Sequence, residues 1–405
     1  MAAWRFYHNP RLSPKVLAQP LIHAAQQAVP HDCDHVVLAV HDWSDLDFRS
    51  HARKRDRMVL GQAEEIGYEL HSCLLVSDRG GDPLASVYQA VKSARGLTSS
   101  RHAHTTAWPQ RRTNLDALRG TMNYVRRLAL GRTAVHILDA EADSVAHFRA
   151  WAKAGHRFLV RVKPTRLVRH AGQKRKLHEV VQQLQGCFLA SRDVLYHGRA
   201  AQQLVAETEV VLYRPAKPQR HGRRGPRPQL KGAALTLRLV VSQVRDAAGQ
   251  LLAQWLLLSN VAADVTAATL ALWYYWRWRI ESYFKLLKGA GQQLEHWQQE
   301  TAEALTRRLL IASMACVLAW QVSRQPGAEG ASLRALLVRL SGRLIKRGQG
   351  WTLAALLEGL WVLLAMVAVS EDYSGEQLRA AARMALAEDA DPNTMQRPRD
   401  HDPPP

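Results

Sequence analysis

The stretch WYYWRWRIESYFKLLKG, residues 273–289 of the 405-residue chain, combines side chains that bind phosphate with one that binds metal ions. At about 100° per residue, a single helix over this stretch gathers its polar side chains into an arc of about 80°. These polar residues are Tyr274, Arg277, Glu281, Lys285 and Lys288. Apolar and aromatic residues fill the opposite side, which is wide enough to pack against a sheet. The stripe therefore indicates a phosphate-binding surface around one metal-binding carboxylate.

An ordinary solvated ion-pair ladder is the alternative for this stripe. Glu281 and Lys285 form an i,i+4 pair, which stabilises a helix by roughly a few tenths of a kcal/mol. Solvation is a more credible role for Lys285 than for Arg277. Arginine binds phosphate through paired hydrogen bonds and lysine binds it as a point charge, so we expect Tyr274, Arg277, Lys285 and Lys288 to grip phosphates.

Two further carboxylates follow short, apolar, β-branched stretches that are typical of buried strands. Asp42 ends the stretch 35–42, and Asp139 ends the stretch 134–139. Strand ends and a helix packed on the sheet can bring Asp42, Asp139 and Glu281 to one point. Such a cluster suits two divalent cations, Mg²⁺ with Mn²⁺ as a substitute, bridged by a carboxylate and a phosphate oxygen.

Acidic neighbours leave two of these assignments open. The competing residues are Asp45 and Asp47 for the role of Asp42, and Glu141 and Asp143 for the role of Asp139. Asp42 could instead cap its adjacent turn, and Asp143 is better placed to cap the following helix. The histidines near Asp42 have no zinc-ligand spacing, which argues against histidine ligation of a metal. They are His31, His35, His41 and His51.

The chain is strongly basic, with 55 Lys and Arg against 35 Asp and Glu, a formal net charge of +20 and a pI near 10.3. This charge indicates a polyanionic partner. The basic residues are spread along the chain, which favours double-stranded DNA or another nucleic acid over a membrane. The stretch 214–231, rich in Pro, Gly and Arg, is expected to contact phosphates without sequence preference, with a solvated linker as the alternative.

No membrane association and no small-molecule cofactor are expected. The apolar runs 309–320 and 353–369 are short or interrupted by Glu358, so we predict buried helices for both. The N-terminus lacks the apolar core of a secretory signal. The four cysteines form no CxxC pair, which is typical of reduced thiols in a cytoplasmic protein.

The predicted elements run in the order strand, hairpin, helix, strand, helix, strand, β-rich insertion and long helix, which indicates an α/β fold. The predicted strands cover 35–42, 66–77 with a hairpin turn at 80–83, 134–139 and 157–164, and the predicted helices cover 114–130 and 144–153. The expected organisation is an N-terminal helical segment 1–34, a core in two parts, 35–164 and 261–345, a β-rich insertion 165–260, and a helical C-terminal region 346–405 with a disordered tail.

With these residues assembled, the sequence resembles the DDE transposases of the insertion sequence four family, the cut-and-paste bacterial group that includes the transposon five enzyme. The family signature is Tyr, two residues, Arg, three residues, Glu, six residues, Lys. It is met in full by Tyr274, Arg277, Glu281 and Lys288. The two upstream acids resemble Asp42 in AVHDWSDLDF and Asp139 in ILDAEAD, where Ala140 stands in place of the family's usual arginine.

The resemblance implies an RNase H-like catalytic core, a mixed sheet with flanking helices, that carries a β-rich insertion. It also implies metal-dependent cleavage at transposon ends and strand transfer to target DNA by a homodimer on paired ends. RFLVRVKP resembles the strand whose arginine contacts DNA, here Arg161. QWLLLSN resembles the segment whose tryptophan stacks on a flipped base, here Trp255, for which a core position is the alternative.

Family members carry a helical domain that recognises transposon ends ahead of a segment similar to RFYHNPRLSP, residues 5–14. The chain begins at that segment, so specific end recognition is expected to be missing. This leaves a second interpretation, a truncated and non-catalytic relic that binds DNA or a full-length transposase without cutting.

Overall fold

The computed structural model describes residues 2–61, 64–109, 112–215, 232–289 and 292–388. The chain divides into two compact units, Met1–Gln321 and Val322–Pro405, which are described separately. Most of the predicted basic stretch 214–231 lies outside the described residues, as does the predicted disordered tail from residue 389.

Within the described ranges, thirteen strands of the first unit form one mixed sheet. Its strands are β1 Val36–Asp47, β2 Met58–Val59, β3 Ile66–Ser77, β4 Pro83–Ser93, β5 Gly96–Ser99, β6 Thr133–Leu138, β7 Arg157–Arg161, β8 Leu167–His170, β9 Gln173–Lys176, β10 Leu189–Tyr196, β11 Arg199–Leu212, β12 Leu235–Arg245 and β13 Leu251–Ser259.

Helices flank this sheet and make up the second unit. Those that begin in the first unit are α1 Ala2–His8, α2 Pro14–Leu17, α3 Gln19–Asp32, α4 Asn114–Arg126, α5 Val145–Lys153, α6 Leu177–Gln183, α7 Ala267–Tyr275, α8 Trp278–Lys288 and α9 Ala302–Arg324. The second unit contains α10 Gly327–Ser341, α11 Leu353–Asp372 and α12 Gly375–Glu388.

The strand order β4-β3-β1-β6-β7 is that of an RNase H-like core. β1 and β6 are parallel, as are β6 and β7, whereas β3 is antiparallel to both of its neighbours. The short turn between Ser77 and Pro83, which contains Gly80 and Gly81, connects β3 to β4 as a hairpin. The predicted fold class, a mixed α/β sheet with flanking helices, is therefore confirmed.

The β-rich insertion extends the core sheet. β13 pairs antiparallel with β7, and the sheet continues from it through β12, β11, β8 and β9. The sequence predicted the strands but neither helix α6 nor this shared sheet. Pairing between strands about a hundred residues apart leaves no local signal in the amphipathic pattern.

Three predicted element ends are wrong. The strand predicted over 157–164 ends at Arg161, the last residue that pairs with β13. β1 does not end at Asp42 but continues to Asp47, because β3 stays paired with it as far as Gly67. The parallel partner β6 stops earlier, opposite Val40. Helix α4 ends at Arg126 and not at Leu130, since Ala129 adopts a positive φ of 51° that a helix cannot contain.

The two faces of the sheet carry different layers. Alternation along β1 places Trp43 on the face where α4 and α5 build the main apolar cluster, around Trp151 and Phe158. Asp42 points to the opposite face, which α8 covers. The candidate site therefore lies between the sheet and α8.

The two apolar runs differ in burial. Residues 309–320 lie in α9 and are mostly buried, as predicted. Residues 353–369 lie in α11, a helix of 20 residues long and apolar enough to cross a membrane by length and composition. The prediction that this run is buried is wrong for its second half, where Trp361 and Leu364 are 58% and 55% exposed. A single helix of this kind does not indicate a membrane protein.

Candidate active site

The predicted single helix over 273–289 is two helices. α7 ends at Tyr275 and α8 begins at Trp278, and the amides of Arg277 and Ile280 bond to carbonyls three residues back instead of four. Trp276 packs at this break against Gly81 of the β3–β4 turn. This tertiary contact lies at the break, and a helical periodicity in the sequence cannot reveal it.

Burial divides the predicted polar stripe. The side chain of Arg277 is 6% exposed, and Tyr274 is 3% exposed as a residue. Lys285, by contrast, is exposed to solvent. Solvation therefore describes Lys285 but not Tyr274 or Arg277.

Arg277 lies at the centre of the three predicted acids. Its Nη1 donates to Oδ2 of Asp42 at 3.1 Å and its Nη2 donates to Oε1 of Glu281 at 2.7 Å. The same Nη2 lies 3.6 Å from Oδ2 of Asp139. These carboxylates are far apart in sequence, so only the fold brings them to one guanidinium.

Strand register explains why two of the acids meet. β1 and β6 run parallel and are aligned with Val40 opposite Ile137. Side chains two residues apart share a face of a strand, so Asp42 and Asp139 lie on the same face just beyond the last paired residues. Asp139 directly follows β6, as predicted.

The next two strands place Arg161 and Trp255 on this face. The guanidinium of Arg161, at the end of β7, contacts Oδ1 of Asp139 at 2.8 Å. Arg161 pairs with Leu257 of β13, and Trp255 lies two residues before Leu257 on the same side. The fold thus brings both predicted DNA-contacting residues to the edge of the acid cluster.

An aromatic row continues from the site into the insertion. The ring centroids of Tyr274 and Trp255 lie 6.5 Å apart, and those of Trp255 and Tyr196 are also 6.5 Å apart. Trp255 is half-buried, which leaves part of its ring free to contact a ligand. Tyr196, near the β10–β11 turn, was missed from the sequence because one tyrosine in an alternating strand carries no distinguishing signal.

The titration of the site follows from its burial. Loss of water raises the pKa of the Asp42 carboxyl to about 6, and this effect outweighs the opposing guanidinium of Arg277. Burial and the nearby charge of Asp139 raise the pKa of the Tyr274 phenol well above its usual range. Burial opposes the charge of Arg277, but Tyr274 and the three surrounding acids together raise the pKa of its guanidinium.

Tyr274 retains an unused donor. Its hydroxyl is buried, and no residue in the described ranges accepts a hydrogen bond from it. A buried hydroxyl whose proton has no acceptor can donate to a bound ligand, such as a phosphate oxygen.

The lysines of the stripe have separate surroundings. Nζ of Lys288 donates to the carbonyl of Asp45 at 2.7 Å and pairs with Glu295 at 3.0 Å. The sequence did not indicate Glu295, which lies in the short 3-10 turn Leu294–His296. Lys288 thus links the end of α8 to β1, whereas Lys285 remains available at the surface.

The competing acids lie away from Arg277. Asp45 and Asp47 alternate to the face of β1 opposite Asp42, and Asp47 pairs with Arg49. Glu141 is exposed.

The predicted N-cap at Asp143 is wrong. Its carboxylate accepts from Arg166 at 2.5 Å and from the Lys163 amide at 3.1 Å, and Ser144 precedes α5 instead. Of the histidines, His41 is buried and bonded to His136 at 2.9 Å on the other face of the sheet.

The acids suit a divalent cation in chemistry but not in their present arrangement. Three carboxylates supply the oxygen ligands that Mg²⁺ prefers. As described, however, they converge on a guanidinium. No group of three or more His, Cys, Asp or Glu side chains in the described part of the chain is arranged to hold a metal ion.

The class of this domain is defined by an RNase H-like core that carries acids at β1, at the end of β6 and on the packed helix α8. The family model of the transposase DDE domain matches residues 46–318. This match covers more than half of the chain, so the chain belongs to the transposase DDE domain family. Asp139, Arg277 and Glu281 lie within the matched region, and Asp42 lies four residues before it.

Among solved structures, the cryo-EM structure of the piggyBac transposase synaptic complex with hairpin DNA is similar at 11% sequence identity and a TM-score of 0.31. The similarity covers 74% of this chain and 50% of that chain, so the chain spans about half the length of that relative. No curated protein matches the sequence.

Proposed function

We propose that the chain is a cut-and-paste DDE transposase of the insertion sequence four family, which cuts DNA at element ends and joins the freed 3′ hydroxyl to target DNA. The observation that carries this proposal is the convergence of Asp42, Asp139 and Glu281 on one sheet face beneath α8. Membership of the transposase DDE domain family supports the reaction class.

The three carboxylates would hold two Mg²⁺ ions, or Mn²⁺ in their place. When bound, such ions activate the attacking oxygen and stabilise the leaving one. The protein's own residues supply positioning and charge neutralisation, which is most of what in-line phosphoryl transfer requires.

The basic side chains around the acids would bind the DNA backbone. Arg161 presents charge at the edge of the cluster, where its side chain is 38% exposed, and Lys285 presents charge on the exposed side of α8. Lys288 lies at the end of α8. The free hydroxyl of Tyr274 would donate to a phosphate oxygen, and the half-buried ring of Trp255 would stack on an unpaired base.

The partners that follow are double-stranded DNA and a second copy of the chain, because two ends must be cut together. The net charge of +20 supports a polyanionic substrate.

Replacing Asp139 with asparagine tests the proposal. The assay is nicking of a labelled duplex with a hairpin or pre-nicked end, in the presence of Mg²⁺ or Mn²⁺. We expect Asp139→Asn to lose nicking and to keep its affinity for the duplex in fluorescence anisotropy. Glu141→Gln is the matched control, since it removes an exposed acid two residues away.

Cleavage by Asp139→Asn at the wild-type rate would exclude this carboxylate from the reaction. A wild-type chain that binds DNA but cuts no pre-distorted substrate with either ion would refute the catalytic proposal and support the relic.

A further inference from the structure

Arg277 is more closely bound to the acids than a phosphate-binding side chain needs to be. Its two terminal nitrogens reach three carboxylates, at 3.1 Å for Asp42, 2.7 Å for Glu281 and 3.6 Å for Asp139. Its Nε is buried and bonds to no residue in the described ranges. The guanidinium therefore faces the acids and not the solvent.

This arrangement solves an electrostatic problem within the protein. Asp42, Asp139 and Glu281 carry like charges close together, and their side chains are only 20%, 27% and 30% exposed. Like charges in a partly buried site repel strongly because water screens them poorly. Arg277 can offset this repulsion at several oxygens together, since its planar fork presents fixed donors.

We infer that Arg277 is a positioning residue that holds the three carboxylates together in the absence of divalent ions, and that ion binding releases its guanidinium from them. The inference rests on the proposed function, because the competing ions are those of the two-metal site. The guanidinium faces one oxygen of each carboxylate, and a divalent ion is a cation that would bind the same three carboxylates, so each weakens the binding of the other.

The released guanidinium has neighbours to receive it. Its central carbon lies 5.5 Å from the ring centroid of Trp278 and 6.0 Å from that of Tyr274. Aromatic faces at this distance attract a cation. Trp278 is 51% exposed, so a guanidinium that turned toward it would be accessible to a DNA phosphate. Ion binding and phosphate binding would then be linked through one side chain.

Mn²⁺ binding to the full chain, followed by electron paramagnetic resonance and calorimetry, tests this inference without an activity assay. Arg277→Gln removes the competing cation, so its affinity for Mn²⁺ should rise at least about fivefold, the lower end of typical coupling between linked binding events. The thermal unfolding midpoint of Arg277→Gln in EDTA should be lower than that of wild type. Added Mn²⁺ should raise the midpoint of Arg277→Gln by more than it raises that of wild type.

Two further variants separate the explanations. Arg279→Gln removes the same charge two residues further along the chain, but the Arg279 side chain donates to the carbonyl of Gly81 and not to the acids. Its Mn²⁺ affinity should match wild type. Arg277→Lys keeps the positive charge but removes the planar, forked guanidinium. It should stay folded in EDTA even if Arg277→Gln does not. Its Mn²⁺ affinity should exceed that of wild type, because a single ammonium holds the three carboxylates less tightly.

The outcomes distinguish this inference from the proposed function. Unchanged or weaker Mn²⁺ binding by both Arg277 variants, with Mn²⁺ binding lost in Asp139→Asn, would overturn the role of Arg277 and leave the two-metal site standing. Equal increases in Mn²⁺ affinity in Arg277→Gln and Arg279→Gln would show that only the net charge matters, and would also overturn the role of Arg277. Absence of Mn²⁺ binding in the wild-type chain would refute both.

Discussion

Replacing Gly81 with alanine tests how the β3–β4 turn fixes the break between α7 and α8. Gly81 has a φ of 68°, a conformation that L residues with a Cβ rarely adopt. An added Cβ would lie closer than 3.0 Å to the indole of Trp276. The carbonyl of Gly81 also accepts a 2.7 Å hydrogen bond from Nε of Arg279. Gly81 therefore contacts one residue on each side of Arg277.

The expected cost has two parts. The left-handed conformation costs an alanine about 1–2 kcal/mol. Overlap with the Trp276 ring, which is largely buried and cannot move freely, adds about 1–3 kcal/mol. Together they should lower the free energy of unfolding by about 2–5 kcal/mol.

Gly80→Ala is the matched control. Gly80 does not adopt a positive φ, and the nearest atom to an added Cβ is the flexible carboxylate end of Asp82 at 3.0 Å. We expect this variant to stay within about 0.5 kcal/mol of wild type. Urea unfolding followed by circular dichroism measures both variants under the same conditions.

A double-mutant cycle with Trp276→Ala separates the two parts. Without the indole, only the conformational cost of Gly81→Ala remains, so the double variant should be more stable than the sum of the single effects predicts by about 1–3 kcal/mol. Additive effects would refute the packing of Gly81 against Trp276. Equal costs for Gly80→Ala and Gly81→Ala would refute both parts of the reasoning.

Further predictions concern other parts of the first unit. Burial lowers the pKa of His71 to about 3, while the unfolded chain protonates this residue near 6.5. The free energy of unfolding should therefore decrease as the pH falls from about 6.5 toward 3, and His71→Gln should make this decrease shallower in urea titrations at several pH values. Tyr283 anchors α8 through its hydroxyl, which contacts Gln89 and lies 2.7 Å from Ser313. Tyr283→Phe should cost about 1–3 kcal/mol in the same urea assay, and no measurable loss would exclude this anchor. Deletion of residues 214–231 should flatten the logarithmic dependence of duplex affinity on salt by about 0.9 per lost phosphate contact, and an unchanged slope would assign the stretch to solvent.

The amino-acid sequence predicted the elements of the core because their signals are local. Short β-branched stretches marked β1 and β6, and the GGDP stretch marked the turn between β3 and β4. It missed the extension of β1 past Asp42, since DWSDLD is polar and resembles a loop. This part of β1 is a strand because it pairs with β3, and the local sequence of β1 contains no information about that partner.

The sequence predicted which residue types form the candidate site but not how deeply each residue is buried or which residues it contacts. Spacing alone selected Tyr274, Arg277 and Glu281, and the fold brings these residues together. Spacing also suggested that the whole charged stripe lies on a surface. Arg277 is instead buried among acids that come from two strands, and only the tertiary structure can supply those partners.

The β-rich insertion contributes to the candidate site because the pairing of β7 with β13 positions both Arg161 and Trp255. β7 pairs with β13 through Arg161 and Leu257, which places Arg161 against Asp139 and Trp255 beside Tyr274. A shift of this register by one residue would turn Trp255 to the other face of the sheet while leaving β7 itself in place. Arg161 of the core and the ring of Trp255 in the insertion therefore cannot be positioned independently. Substitutions that loosen the β7–β13 pairing should displace Trp255 from Tyr274 before they disturb the acids.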